Sequence, residues 1–76
     1  MPKPKKCDVV FRKLRDYDRR FVIYVNRGKG SHRMIFHPDV GGQRARYPVP
    51  FHGKELAGCY LKGIIRRFQL PNNFFD

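Results

Sequence analysis

The apolar positions of this chain form two helical stripes with three short apolar runs between them. Cys7, Val10, Phe11 and Leu14 recur at i, i+3, i+4 and i+7, the spacing that gathers side chains on one face of a helix. Lys6, Arg12, Lys13 and Asp16 fall elsewhere on that cylinder, so the pattern predicts a helix over about residues 5–17. Leu61, Ile64, Ile65 and Phe68 repeat the stripe and predict a second helix over about 58–68, stopped by Pro71. Gly63 sits inside it, which costs about 1 kcal/mol against alanine.

Between the stripes, Phe21-Val22-Ile23-Tyr24-Val25 is aromatic and β-branched throughout and reads as a strand. Residues 26–30 turn the chain, and 31–37 form a second strand around Met34, Ile35 and Phe36. The segment 37–43 is rich in turn residues, and 44–49 is a third strand. Pro48 and Pro50 lack an N–H donor, so this strand is an edge or ends there. Residues 51–55 form a loop. The tail, 72–76, carries two phenylalanines, suited either to packing back or to anchoring a partner. The order is α-β-β-β-α: two helices on one face of a three-stranded antiparallel sheet, a two-layer α+β domain.

The chain has 76 residues, which fits one small domain over 1–76. Seventeen Lys/Arg against six Asp/Glu give a net charge of +11. That exceeds what solubility asks of a small domain and points first to nucleic acid. Cys7 and Cys59 lack metal-ligand spacing and read as free, buried thiols of an intracellular protein. No apolar run approaches a membrane span, and the Pro/Lys-rich start lacks the apolar segment of a signal peptide. The expected setting is cytoplasmic, with no membrane contact.

Gly28-Lys29-Gly30-Ser31-His32-Arg33 is the stretch that carries candidate chemistry. It reads as a tight cationic turn delivering a histidine onto a strand. Arg27, Lys29 and Arg33 surround His32, and no acid occurs from Asn26 to His37. Such cations hold a phosphate while the imidazole serves as base or acid. A plain hairpin turn bearing a surface histidine is the competing reading. His52 could be a second acid/base group but reads better as a loop residue fixing its turn, and His37, before Pro38, as structural. A metal site is not expected: His32 and His37 point to opposite faces of a strand, and no cysteine or carboxylate lies at ligand spacing. Lys62, Arg66 and Arg67 make a basic helix surface for RNA backbone or a protein partner, part of which suits the helix dipole. Tyr24, Tyr47 and Tyr60 could stack on bases, but packing explains them as well.

Taken in order, Gly30-Ser31-His32, the apolar strand ending His37-Pro38, Tyr47-Pro48-Val49-Pro50-Phe51-His52, Lys54-Glu55-Leu56 and a last helix with Leu61 and Ile64-Ile65 resemble the HicA (YcfA-like) toxin family. The residues from 30 to 70 are the specific part; the first helix matches in pattern only. The resemblance implies a double-stranded-RNA-binding-domain-like fold in the order derived above. It implies the toxin of a type II toxin–antitoxin system that cleaves mRNA, and a HicB-like antitoxin as partner. The family's essential histidine falls on His32, with Ser31 beside it as an RNA contact. No cofactor or metal is implied. Two other functions fit the same basic surface: a non-catalytic RNA-binding module, and a catalytically inactive toxin-like partner protein.

Overall fold

The computed structural model describes residues 3–25, 32–50 and 55–76. Along these residues the order is β1 (Lys5–Lys6), α1 (Cys7–Tyr17), β2 (Val22–Val25), β3 (His32–Val40), β4 (Gln43–Pro50), β5 (Glu55–Leu56) and α2 (Gly58–Arg67). Strands β2, β3 and β4 form an antiparallel sheet in that order, with β3 central. This is the α+β arrangement expected from the periodicity, and it fits a double-stranded-RNA-binding-domain-like fold.

The two stripes do what their spacing requires. Cys7, Val10 and Leu14 of α1 and Leu61, Ile64 and Ile65 of α2 enter one core. They meet Ile35, Ala45 and Val49 from one face of the sheet. The other face of the sheet, carried by the alternate residues of each strand, lies away from this core.

Several features go beyond what the sequence patterns offer or decide between their alternatives. A two-residue antiparallel ladder pairs Lys5 with Leu56 and Lys6 with Glu55. It ties the lead-in of α1 to the lead-in of α2, and is too short for any periodicity to announce. Strand β3 runs past Pro38 to Val40, three residues beyond the expected end, through an irregular register between His37 and Val40. The missing N–H of Pro38 falls in that irregularity, where no ladder bond is lost. Val40 then pairs with Gln43 across Gly41 and Gly42, whose φ values of 61° and 87° make the two-residue hairpin turn that only glycine enters freely. The tail packs back. Phe75 is fully buried, and Phe74 meets Tyr17 edge-on at 5.1 Å between ring centroids. One thiol departs from expectation: Cys7 is buried, with its pKa raised chiefly by that burial, but Cys59 lies exposed on α2.

Helix α2 ends in a Schellman motif. The Leu70 amide donates to the Ile65 carbonyl at 2.9 Å and the Gln69 amide to Arg66 at 3.4 Å. The residue that must turn left-handed is Gln69, at φ 55°. A side chain there costs about 1 kcal/mol or more relative to glycine. Gln69→Gly is therefore expected to stabilise the protein by about 1 kcal/mol, raising the melting temperature by about 4–8 °C. Calorimetry on the variant checks this; an unchanged or lower melting temperature would show that the Gln69 side chain, seated against Gly41, matters more than the backbone strain.

Candidate nucleic-acid interface

His32 is the first residue of β3 and pairs with Pro50 of β4. Strand alternation sorts its neighbours. Ile35 and His37 are buried on the helix side, so His32, Met34 and Phe36 share the open face. Across the ladders, Tyr24 pairs with Met34, Val22 with Phe36, and Arg46 with Phe36. The open face therefore carries Val22, Tyr24, His32, Met34, Phe36, Arg44, Arg46 and Pro48. Tyr24 and Val22 are 41% and 47% exposed, large apolar surface left to solvent in a small protein.

One recess on this face, of about 520 Å³, is lined by Tyr24, Phe36, Arg44, Arg46 and Arg67. Arg67 reaches it from α2. Its Nε donates to the Arg46 carbonyl of the edge strand β4 at 3.1 Å. The recess holds basic and aromatic groups, with no carboxylate among the described residues that line it.

The candidate residues do not all gather at His32. Arg27, Lys29, Ser31 and His52 lie outside the described residues. Arg33 follows His32 on the strand, so its side chain projects to the opposite face, and its Nη1 donates to the His32 carbonyl at 3.5 Å. Lys62 and Arg66 stand in the helix layer, on a separate groove of about 610 Å³ that ends at Asp76. The basic cluster of α2 is thus divided: Arg67 serves the sheet face, Lys62 and Arg66 the helix side. Arg44 and Arg46 are functional candidates that the sequence patterns did not single out. Their period-two spacing on a strand was the available signal, since it sends both guanidinium groups to one face.

His37 is a structural latch. It is 4% exposed. Its Nδ1 accepts the Asp39 amide at 3.0 Å, which leaves the ring proton on Nε2, 2.8 Å from Asp18 Oδ2. Its ring packs edge-on against Phe21 at 4.7 Å. Asp18 also accepts the Arg20 backbone amide at 2.9 Å and the Arg20 guanidinium at 3.0 and 3.2 Å. These bonds, the Arg20 side chain first, its amide next and His37 after, hold the Asp18 carboxyl far below the usual carboxylate range. The cluster joins the end of α1 to the middle of β3. Tyr47, on the helix side, has its phenol pKa raised, first by burial and then by Cys59 and Tyr60. Among the described residues no group of three or more His, Cys, Asp or Glu is placed to hold a metal ion, and no helix is long and apolar enough to cross a membrane.

A depressed carboxyl pKa stabilises the fold above the unfolded carboxylate value and loses that contribution as pH falls below it. Asp18 should therefore make the protein acid-sensitive below about pH 4. The expected result is a urea midpoint that falls more steeply from pH 5 to pH 2.5 in wild type than in Asp18→Asn, with the variant the less stable at pH 6. Parallel curves for the two proteins would remove Asp18 as the source. With only six acids in the chain, few other groups can mask the difference.

A family model for the HicA toxin of bacterial toxin–antitoxin systems matches residues 20–70 of this chain. The match begins at Arg20 and runs from β2 through α2, leaving α1 outside. No curated protein and no solved structure matches the chain.

Proposed function

The chain belongs to the HicA toxin family, and we propose that it is a metal-independent endoribonuclease that arrests growth by cleaving mRNA, with His32 as general acid or base. The observation that carries this reading is the position of His32. It stands at the start of the central strand, on the sheet face that carries Arg44 and Arg46 and not on the face sealed by the helices.

Cleavage of RNA at that position uses chemistry this chain contains. The ribose 2′-hydroxyl loses its proton to a base and its oxygen attacks the adjacent phosphorus. The bond from phosphorus to the 5′-oxygen breaks, and that oxygen takes a proton as it leaves. A 2′,3′-cyclic phosphate and a 5′-hydroxyl result. An imidazole can act at either proton transfer, a contribution of typically about 10²–10⁴-fold. Arg27, Lys29 and Ser31, next to His32 in the chain, are the proposed contacts to the reacting phosphate, where fixed donors stabilise the developing charge; Arg33, whose side chain leaves on the other face of β3, is not among them. Lys62 and Arg66, in the other layer, are proposed to hold RNA backbone away from the reacting bond. The natural partner is a HicB-like antitoxin, and a basic toxin suits an acidic one.

The test is induced expression of wild type and His32→Ala in a bacterial host, following growth and total mRNA with soluble protein matched. Arrest with mRNA loss for wild type alone supports the reading. Equal arrest from both proteins would overturn the role of His32 and favour a binding module.

A further inference from the structure

We propose that the open sheet face is a binding platform for single-stranded RNA, with one base seated in the Tyr24–Phe36 recess and the flanking phosphates held by Arg44, Arg46 and Arg67. The inference rests on the ribonuclease reading and adds to it a subsite, on the same face as His32 but distant from the bond that breaks.

Three observations carry it. The first is chemical. Tyr24 and Phe36 are diagonal neighbours across the β2–β3 ladder, within reach of each other's rings. Arg44 and Arg46 project from β4 beside them, and Arg67 arrives already fixed by its Nε bond to the Arg46 carbonyl. Rings for a base face and guanidinium groups for phosphates are the two elements that proteins combine to hold single strands. The second is exposure: Tyr24 is 41% exposed and Val22, two residues earlier on the same face, 47%, so the face presents ring and aliphatic surface to solvent. The third is position. Phe36 and His32 lie on one strand face, roughly 13 Å apart at about 3.3 Å per residue. An extended RNA strand can run along β3 from the recess to the imidazole.

The observations favour a single strand over a duplex. In an A-form helix the base faces are stacked and closed to side-chain rings, so the recess would have nothing to hold. They also favour RNA over a protein strand: among the described residues the recess is lined by three guanidinium groups and no acidic group, with a chain of net charge +11 behind it.

The experiment uses the full chain carrying His32→Ala, so that RNA survives, and a fluorescein-labelled single-stranded RNA of mixed sequence read by anisotropy. Tyr24→Thr keeps a strand-forming residue and removes the ring; it is expected to weaken binding by about 5–150-fold, the effect of unstacking one base. It should leave the salt dependence of binding unchanged. Tyr24→Phe keeps the ring and should bind as the parent does. Arg44→Ala with Arg46→Ala should weaken binding and reduce the slope of log affinity against log salt by about one for each phosphate no longer held. Circular dichroism on each variant confirms folding. Parent-like affinity for Tyr24→Thr would overturn the proposal, as would unchanged RNA affinity with abolished binding of a HicB-like antitoxin. The two readings fail separately. If His32→Ala abolishes cleavage in the otherwise wild-type chain but Tyr24→Thr binds RNA normally, the subsite is wrong and the ribonuclease stands. If RNA binding depends on Tyr24 while the wild-type chain never cleaves RNA, the platform stands and the ribonuclease is wrong.

Discussion

Purified His32→Ala is expected to cleave single-stranded RNA about 10²–10⁴-fold more slowly than wild type while keeping its fold and most of its RNA affinity. The size of the loss follows from what else could replace the imidazole. His37 sits on the opposite face, buried, with one ring nitrogen given to Asp39 and the other to Asp18. It cannot turn to the open face without breaking the latch that holds α1 to β3. Arg44, Arg46 and Arg67 bring guanidinium groups, which position a phosphate and do not serve as bases. His32→Gln sharpens the measurement. Glutamine keeps hydrogen bonding and much of the volume but cannot shuttle a proton, so it should be as slow as alanine. If His32→Gln retained the wild-type rate, the imidazole would be a positioning residue and the chemistry would lie elsewhere. A matching His37→Ala protein gives the contrast: its defect should appear as lower stability, with the rate per folded molecule preserved.

Strong periodicity makes the frame legible. The second stripe predicts a helix over 58–68, and α2 spans Gly58–Arg67, because a stripe of leucine, isoleucine and phenylalanine has no competing pattern there. The sheet order follows from turn lengths. The end of β3 does not, because Pro38 normally closes a strand and only the three-dimensional register shows the irregularity that admits it. The clip between β1 and β5 is a consequence of tertiary packing: two helices on one face bring their lead-ins side by side. Residues 18–20 fall between the predicted helix and the first strand, yet Asp18 and Arg20 build the latch on His37 across 19 residues of sequence. Such pairings carry no local signal. At the candidate site, His32 stands out because its surroundings in sequence are basic. Arg44 and Arg46 do not, and Arg67 stands out only as part of a helix surface with Lys62 and Arg66, because the three converge only when the strand edge and the end of α2 meet.

Gly63→Ala is expected to destabilise the protein by about 1–3 kcal/mol, although alanine is the better helix former by about 1 kcal/mol. The reason is Tyr47. A methyl group on Gly63 would overlap the Tyr47 hydroxyl and come within 2.6 Å of its Cζ. The ring lies against the helix backbone where any side chain would stand, and this close approach seats α2 on β4. Overpacking there must move the helix or turn the ring, and both are held by core neighbours. The test is a double-mutant cycle in urea. In a Tyr47→Ala background the overlap is gone, so Gly63→Ala should become neutral or stabilising by up to about 1 kcal/mol. A stabilising Gly63→Ala in the wild-type background would show that the ring yields freely and that the glycine has no packing role. The same displacement has a functional readout. Arg46 follows Ala45 and precedes Tyr47 on β4, and its carbonyl anchors Arg67. Moving α2 off β4 should release Arg67 from the sheet face, so Gly63→Ala should also weaken single-stranded RNA binding in the fraction that remains folded. A helix glycine would then be tied to the RNA surface through a strand tyrosine, with neither residue touching the ligand.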